Sequence, residues 1–445
     1  MYRFVEEDLK LWKKKKKPLP ILLRGARQVG KSFTVREFAK NNFDNFCEIN
    51  FERDEKAKLY FENLDVKNII LKLSSFTNTK ISKGKTLLFL DEIQQCPKAI
   101  LALRYFYEDM PGLHVIGAGS LVDFALKSGE YAVPVGRVQY FFMAPMSFSE
   151  FLLAANKKAY LDYINNLSFE QKDDSVMHER LLEEFRMYML LGGMPAVLED
   201  YFTNQDLLEA FNRQSSILLS YKDDFSKYSK HHQYKYLQSV LLKTPRLIGS
   251  KLKYSQIDSD YKSADIKEAL ILLSRANLIH LVPRTSGAGL PLGAEASDKH
   301  FKAIFLDIGL IQKLLGLNNE IINASDFHSI ATGALTEQFV GQELLSYINP
   351  YDEKKLYFWE REDKSNAAEI DYLHVCDGKI YPIEVKAAKA GRLKSLRIFM
   401  ETFKSPFGLR ISQRELSFED GILSVPLYAV SNLDRLIREA TRKKV

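Results

Sequence analysis

Ile21-Leu22-Leu23-Arg24-Gly25-Ala26-Arg27-Gln28-Val29-Gly30-Lys31-Ser32-Phe33-Thr34-Val35 is the stretch on which the fold turns. Ile21-Leu22-Leu23 is a short apolar run that suits a buried strand, and Phe33–Ala39 has helical spacing. Between them lies G-x-x-x-x-G-K-[ST] in its required strand-to-helix context. The glycines let the backbone wrap closely around phosphates, and the loop amides and helix start favour negative charge. Lys31 is placed to reach the β- and γ-phosphates, and the Ser32 hydroxyl to ligate Mg²⁺. Gly25, Ala26, Arg27, Gln28, Val29, Gly30, Lys31, Ser32 and Phe33 are therefore the candidate nucleotide-binding residues, with ATP and Mg²⁺ as the expected cofactors.

Further strands are expected at Phe46–Phe51, Thr86–Leu90 and His114–Ile116, separated by helical segments. That alternation predicts a parallel α/β sheet. Leu87-Leu88-Phe89-Leu90-Asp91-Glu92 reads as a buried strand with two acids at its carboxyl end, where open α/β sheets hold their ligands. Asp91 is the candidate Mg²⁺ ligand and Glu92 the candidate base for an attacking water, an effect typically worth ~10²–10⁴-fold in rate. Ser120, after the fourth strand, is a candidate γ-phosphate sensor. Arg137 is a candidate arginine finger acting on a neighbouring copy of the chain.

Beyond this core, residues from Phe151 to about Tyr228 are mostly helical in pattern. Short helices then lead to strands at Leu278–Val282 and Phe301–Leu306, an order that suggests a winged helix. A helix at Ala334–Ile348 precedes strands at Leu356–Glu360, Ile370–Val375 and Lys379–Val385, with an Asp377-Gly378 hairpin turn between the last two. The expected domains are 1–155 (P-loop ATPase), 156–230 (helical), 231–325 (winged-helix-like) and 326–445.

The chain has 63 basic and 57 acidic residues, a net charge of +6. So small an excess permits nucleic-acid binding without arguing for it, and Lys13–Lys17 reads as a solvated helix end. No apolar run approaches the ~20 residues of a membrane span. Cys47, Cys96 and Cys376 are too far apart for a metal-ligand cluster. Together with a start that lacks an apolar leader core, these features set the cytoplasm as the expected compartment and exclude a membrane partner.

Gly-Ala-Arg-Gln-Val-Gly-Lys-Ser, Phe89-Leu90-Asp91-Glu92-Ile93-Gln94, Gly136-Arg137-Val138 and Pro145-Met146-Ser147-Phe148-Ser149-Glu150-Phe151 resemble a large family of bacterial and archaeal AAA-superfamily ATPases with a C-terminal domain of unknown function. Gly192-Gly193-Met194-Pro195, Phe305-Leu306-Asp307-Ile308-Gly309-Leu310 and Glu369-Ile370-Asp371-Tyr372 carry the same resemblance. It implies ATP binding, ATP hydrolysis and an ATPase–winged-helix–nuclease-like order. Ser120 departs from the Asn usual at the sensor position of such ATPases.

Within the last region, Glu384 and Lys386 are two apart on a strand and face the same side. The hairpin should bring Asp371 beside them, and Glu337 adds a fourth polar group from the preceding helix. This is the D…E-x-K layout of restriction-endonuclease-like folds. There Asp371 and Glu384 would bind Mg²⁺, and Lys386 would orient water or stabilise charge. Trp359, Arg361 and Tyr372 are candidate nucleic-acid contacts. The expected whole is an AAA-type α/β P-loop domain, a helical and winged-helix region, and an α/β nuclease-like domain. Nucleotide state would control nucleic-acid binding or cleavage. The alternative is a non-cleaving, ATP-dependent switch for a protein or nucleic-acid partner.

Overall fold

The computed structural model describes residues 1–120, 122, 136–170, 174–228, 231–317, 333–361, 367–388, 391 and 393–444. The chain divides into two units. The first is Met1–Pro145 with Arg275–Asn277 and Ile348–Lys354. The second is Met146–Ser274, Leu278–Tyr347 and Lys355–Val445. The domain boundary expected at 325/326 lies outside the described residues.

Five strands build the sheet of the first unit: β1 (Ile21–Arg24), β2 (Asn45–Asn50), β3 (Thr86–Asp91), β4 (His114–Ala118) and β5 (Gln139–Phe142). Their order is β2-β3-β4-β1-β5, and every pairing is parallel. The inner strands β3 and β4 are buried at every residue, whereas the edge strand β2 is only partly buried. That difference is what helices on both faces of a parallel sheet produce. Leu22, Leu88, Leu90 and Val115 share one core cluster with Ile69 and Leu73 of helix Val66–Thr77 and with Ala99 and Leu103 of helix Pro97–Asp109. Helix Lys31–Asn42 packs against β2, β3 and β4. Because β4 lies between β1 and β3, the P-loop and the acidic pair emerge at the same sheet end, one strand apart.

The second unit begins with helices Phe148–Ala154, Lys158–Asn166, Ser175–Leu191, Pro195–Asn204 and Leu207–Tyr228. Helices Tyr234–Lys243, Tyr254–Ile257 and Ser263–Arg275 then lead into β6 (Ile279–Thr285) and β7 (Phe301–Phe305), which pair antiparallel. On its other side β6 pairs parallel with β8 (Phe358–Glu360), and β8 pairs with β9 (Glu369–Ile370). A separate sheet follows, made of β10 (Tyr372–Cys376), β11 (Lys379–Val385), β12 (Gly408–Ser412), β13 (Ser417–Glu419) and β14 (Ile422–Pro426), in the order β10-β11-β12-β14-β13. The β10–β11 hairpin turns at Asp377-Gly378, both with positive φ (48° and 72°), as a two-residue turn requires.

One strand expectation needs correction. Ile370–Val375 is not one strand: the chain leaves one sheet and joins another at Asp371, between β9 and β10. Its side chain accepts a hydrogen bond from the Val385 amide at 2.8 Å, which pins that break against the end of β11. Of the strand expected at Leu356–Glu360, β8 pairs with β6 and β9, and the Tyr357 carbonyl accepts from the Leu373 amide of β10 at 2.9 Å.

Candidate functional site

The P-loop closes tightly on its own sheet. Gly25 has φ 142°, and a Cβ there would lie 2.2 Å from the Met143 carbonyl oxygen, so only glycine is accommodated. Helix Lys31–Asn42 starts at Gly30 with no acidic residue in its own first turn and no side-chain cap, so nothing in the helix itself offsets its positive end. Lys31 is buried, and its Nζ donates to the carbonyls of Gly25 (3.0 Å) and Ala26 (2.8 Å). Burial lowers its pKa to about 8, against the opposing pull of Glu92 and Asp91. Phe33, on the same first turn, is half exposed.

The acidic strand meets the loop directly. Ser32 Oγ donates to both Asp91 oxygens, at 3.0 and 2.9 Å. Asn50 Nδ2 of β2 donates to Asp91 Oδ2 at 3.2 Å, and Arg36 stands 3.9 Å from it while gripping Glu48 at 2.7 Å. Burial pushes the Asp91 carboxyl above its ordinary range. Glu92 follows with φ 50° and accepts a hydrogen bond from Gln94 Nε2 at 2.5 Å. Gln94 in turn lies against the end of β4: a Cβ on Gly119 would stand 2.0 Å from its Oε1. Ser120, the next residue, is buried. A cleft of about 820 Å³, lined by Arg36, Glu48, Asn50, Glu52, Arg53 and Asp54, opens beside these groups. The sequence reading missed Asn50 and Gln94. Gln94 had a signal, being part of the segment that carries the Asp91-Glu92 pair, whereas Asn50 at an edge-strand end had none.

Arg137 is exposed and stands apart from this set. Its Nε donates to Glu108 Oε1 at 3.1 Å, and Arg104 holds the same oxygen at 3.0 Å. Hydrogen bonds from Arg137 and Arg104 keep the Glu108 carboxyl below its ordinary range.

A second polar cluster lies within the second unit. Lys386 Nζ bonds Glu384 Oε1 at 2.5 Å, and Asp371 sits against Val385 between them, so the three are brought together. Lys302 of β7, which the sequence reading did not single out, enters the same cluster. Its side chain is only 2% exposed and pairs with Glu369 (2.5 Å), Glu337 (2.9 Å) and Asp371 (3.5 Å). Burial disfavours its charge, but the pull of Glu337, Asp371 and Glu369 outweighs this and raises its pKa. Burial, aided by the Asp371 charge, pushes Glu337 and Glu384 each up to about 7. Trp359 is buried against Phe399 and Phe403, and Tyr372 is buried with its hydroxyl on the Glu337 carbonyl. Both rings pack the interior instead of facing a ligand.

Residues 17–152 match the family model of an AAA domain. With the parallel sheet, the P-loop and the acidic strand already in place, that match decides the matter. The first unit is an AAA-type P-loop ATPase domain. Residues 182–321 and 332–430 match two domains of unknown function (DUF8612 and DUF4143). No curated protein matches the chain. Among solved structures it is similar to the Aeropyrum pernix ORC2 protein in ADPNP–ADP complexes, at 12% identity and TM-score 0.37, covering 72% of this chain and 94% of that one. It is also similar to the Thermotoga maritima RuvB Holliday junction branch migration motor, at 14% identity and TM-score 0.30, covering 66% and 91%. A Pyrococcus horikoshii STAND protein with a tetratricopeptide repeat sensor aligns at 12% identity and TM-score 0.27, covering 78% of this chain and 48% of that one. Scores this low do not bear on function. No helix among the described residues is long and apolar enough to cross a membrane.

Proposed function

We propose that this AAA-type domain binds ATP with Mg²⁺ and hydrolyses it. The observation that carries the reading is the contact of Ser32 with both oxygens of Asp91, beside a buried Lys31 and one residue before Glu92. The loop amides and Lys31 would hold the β- and γ-phosphates. Ser32 and Asp91, a hydroxyl and a buried carboxylate already converging, would hold Mg²⁺, which would supply neutralisation of the phosphate charge. Glu92 would take the proton of the attacking water. Ser120 would sense the γ-phosphate, and Arg137 would reach a neighbouring copy. The test is phosphate release from ATP together with nucleotide binding. Lys31→Ala should lose both, and Glu92→Gln should keep binding while losing ~10²–10⁴-fold in turnover. Full turnover in Glu92→Gln would remove Glu92 as the base.

The second unit is read as the part that nucleotide state controls, in a cytoplasmic protein. Three helices followed by the β6–β7 pair support a winged-helix-like region (231–325). The β10–β11 hairpin with Asp371, Glu384 and Lys386 supports a restriction-endonuclease-like region (326–445). Its ligand class is proposed to be nucleic acid, tested by whether DNA or RNA raises phosphate release. In the cleaving reading Asp371 and Glu384 hold Mg²⁺ and Lys386 orients water. The non-cleaving reading makes the same fold a binding platform, and the pairing of Lys302 with Asp371 favours it.

A further inference from the structure

A restriction-endonuclease-like site works through a divalent cation held by its carboxylates, so the oxygens of this cluster decide whether one fits. Asp371 Oδ1 faces Lys302, and its Oδ2 accepts the Val385 N–H. Glu337 Oε1 and Glu369 Oε1 both face Lys302, and Glu384 Oε1 faces Lys386. Glu384 Oε2 is buried without a hydrogen-bond partner. Small hard cations take about six or more oxygen ligands around one point. Among the described residues no group of three or more His, Cys, Asp or Glu is arranged to hold a metal ion. Three of the acids do converge, but on an ammonium. The Lys302 side chain is 2% exposed, with the Phe358 ring 5.4 Å from its Nζ.

We infer that the Lys302 ammonium is the resident cation of this cluster and that the cluster takes no divalent metal. A metal seated between Asp371 and Glu384 would stand beside a buried positive charge. It would also compete with Val385 N–H for Asp371 Oδ2 and with Lys386 for Glu384 Oε1, which leaves Glu384 Oε2 as the one unengaged oxygen of the pair. Lys302 thus does permanently what Mg²⁺ does transiently in a cleaving enzyme: it holds several carboxylates together. The second unit accordingly recognises its ligand without cutting it, which deepens the non-cleaving reading and is independent of ATP hydrolysis in the first unit.

The test is Mn²⁺ binding to the full chain without nucleotide, followed by electron paramagnetic resonance. Wild type and the near-isosteric Asp371→Asn/Glu384→Gln variant should give superimposable binding curves, since any Mn²⁺ at Asp91 is common to both. Lys302→Met should melt at a lower temperature in metal-free buffer, gain one Mn²⁺ site, and recover part of its Tm when Mn²⁺ is added. Loss of a Mn²⁺ site in the double variant overturns the inference, and so does a Lys302→Met protein with an unchanged Tm. If Lys302→Met does not fold, the comparison of wild type with the double variant decides alone.

Discussion

Lys31 and Glu92 show what single side chains carry. With its pKa lowered to about 8, Lys31 is partly neutral near pH 8, and a bound triphosphate would restore its charge. ATP binding at pH 8 should therefore take up a fraction of a proton. Calorimetry in two buffers of different ionisation enthalpy measures it, and identical binding heats in the two buffers would show that Lys31 is already charged. The sign for stability is the reverse of a lysine that gains a partner. The unfolded chain binds the extra proton between about pH 8 and the ordinary lysine value, so Lys31 costs the nucleotide-free fold most below pH 8, and the cost falls as pH rises. Gln94 is proposed as a positioning residue, since its amide donates to Glu92. Gln94→Ala should lower kcat about tenfold, the worth of one hydrogen bond to a charged group, while leaving the Kd for ATP unchanged. The P-loop and the acidic pair were legible because their chemistry needs fixed residue types at fixed local spacing. Asn50 was not, because an amide that steadies an acid can come from many positions.

Among the elements, β3 is buried at every residue. Leu88 is fully buried between sheet and helices, so Leu88→Ala should cost about 3 kcal/mol in urea unfolding. Helix 333–347 holds a different kind of constraint. Glu343 on it accepts from the Phe148 amide at 2.9 Å and from the Tyr347 hydroxyl at 2.9 Å, in full burial that pushes its carboxyl to about 8. A carboxyl raised in the fold keeps its proton where the unfolded chain has lost it. Its stabilisation is complete at acid pH and lost as pH rises from about 4.5 through 8. Glu343→Gln should flatten this decline and raise the urea midpoint at pH 8 relative to wild type. The strand and helix pattern was legible where burial is one-sided or complete, as in β1, β3, β4 and the β10–β11 hairpin. It was not legible at β5, a half-buried edge strand, nor at β12 and β14. There Arg410 and Ser424 interrupt the apolar runs although both are buried.

Across the whole molecule, four separated sequence segments meet in the second unit. The Met146 amide donates to the Gly193 carbonyl at 2.7 Å, and the Gly193 amide donates to Asp307 at 2.6 Å. Gln342 accepts from the Ile308 amide at 2.8 Å and donates to Tyr188, whose hydroxyl reaches the Met146 carbonyl at 2.6 Å. The motifs around Met146, Gly193 and Asp307 are thus constrained by one another, which is a structural reason for their being distinctive. Association is tested at this scale. If Arg137 acts on a neighbouring copy, an equal mixture of Arg137→Ala and Glu92→Gln should regain part of the wild-type turnover, because some mixed pairs join an intact Glu92 to an intact Arg137. The P-loop, the acidic strand beside it, the parallel α/β character of the first 145 residues and the turn of the C-terminal hairpin could be read from the sequence. Each of these follows from residue types at short range. Only the tertiary structure decided that Asp371 breaks its strand, that β8 joins β6, and that Lys302 sits among Glu337, Glu369 and Asp371. An ion pair between residues 35 or 69 positions apart leaves no periodicity in the chain, and burial of a lysine is set by what folds over it.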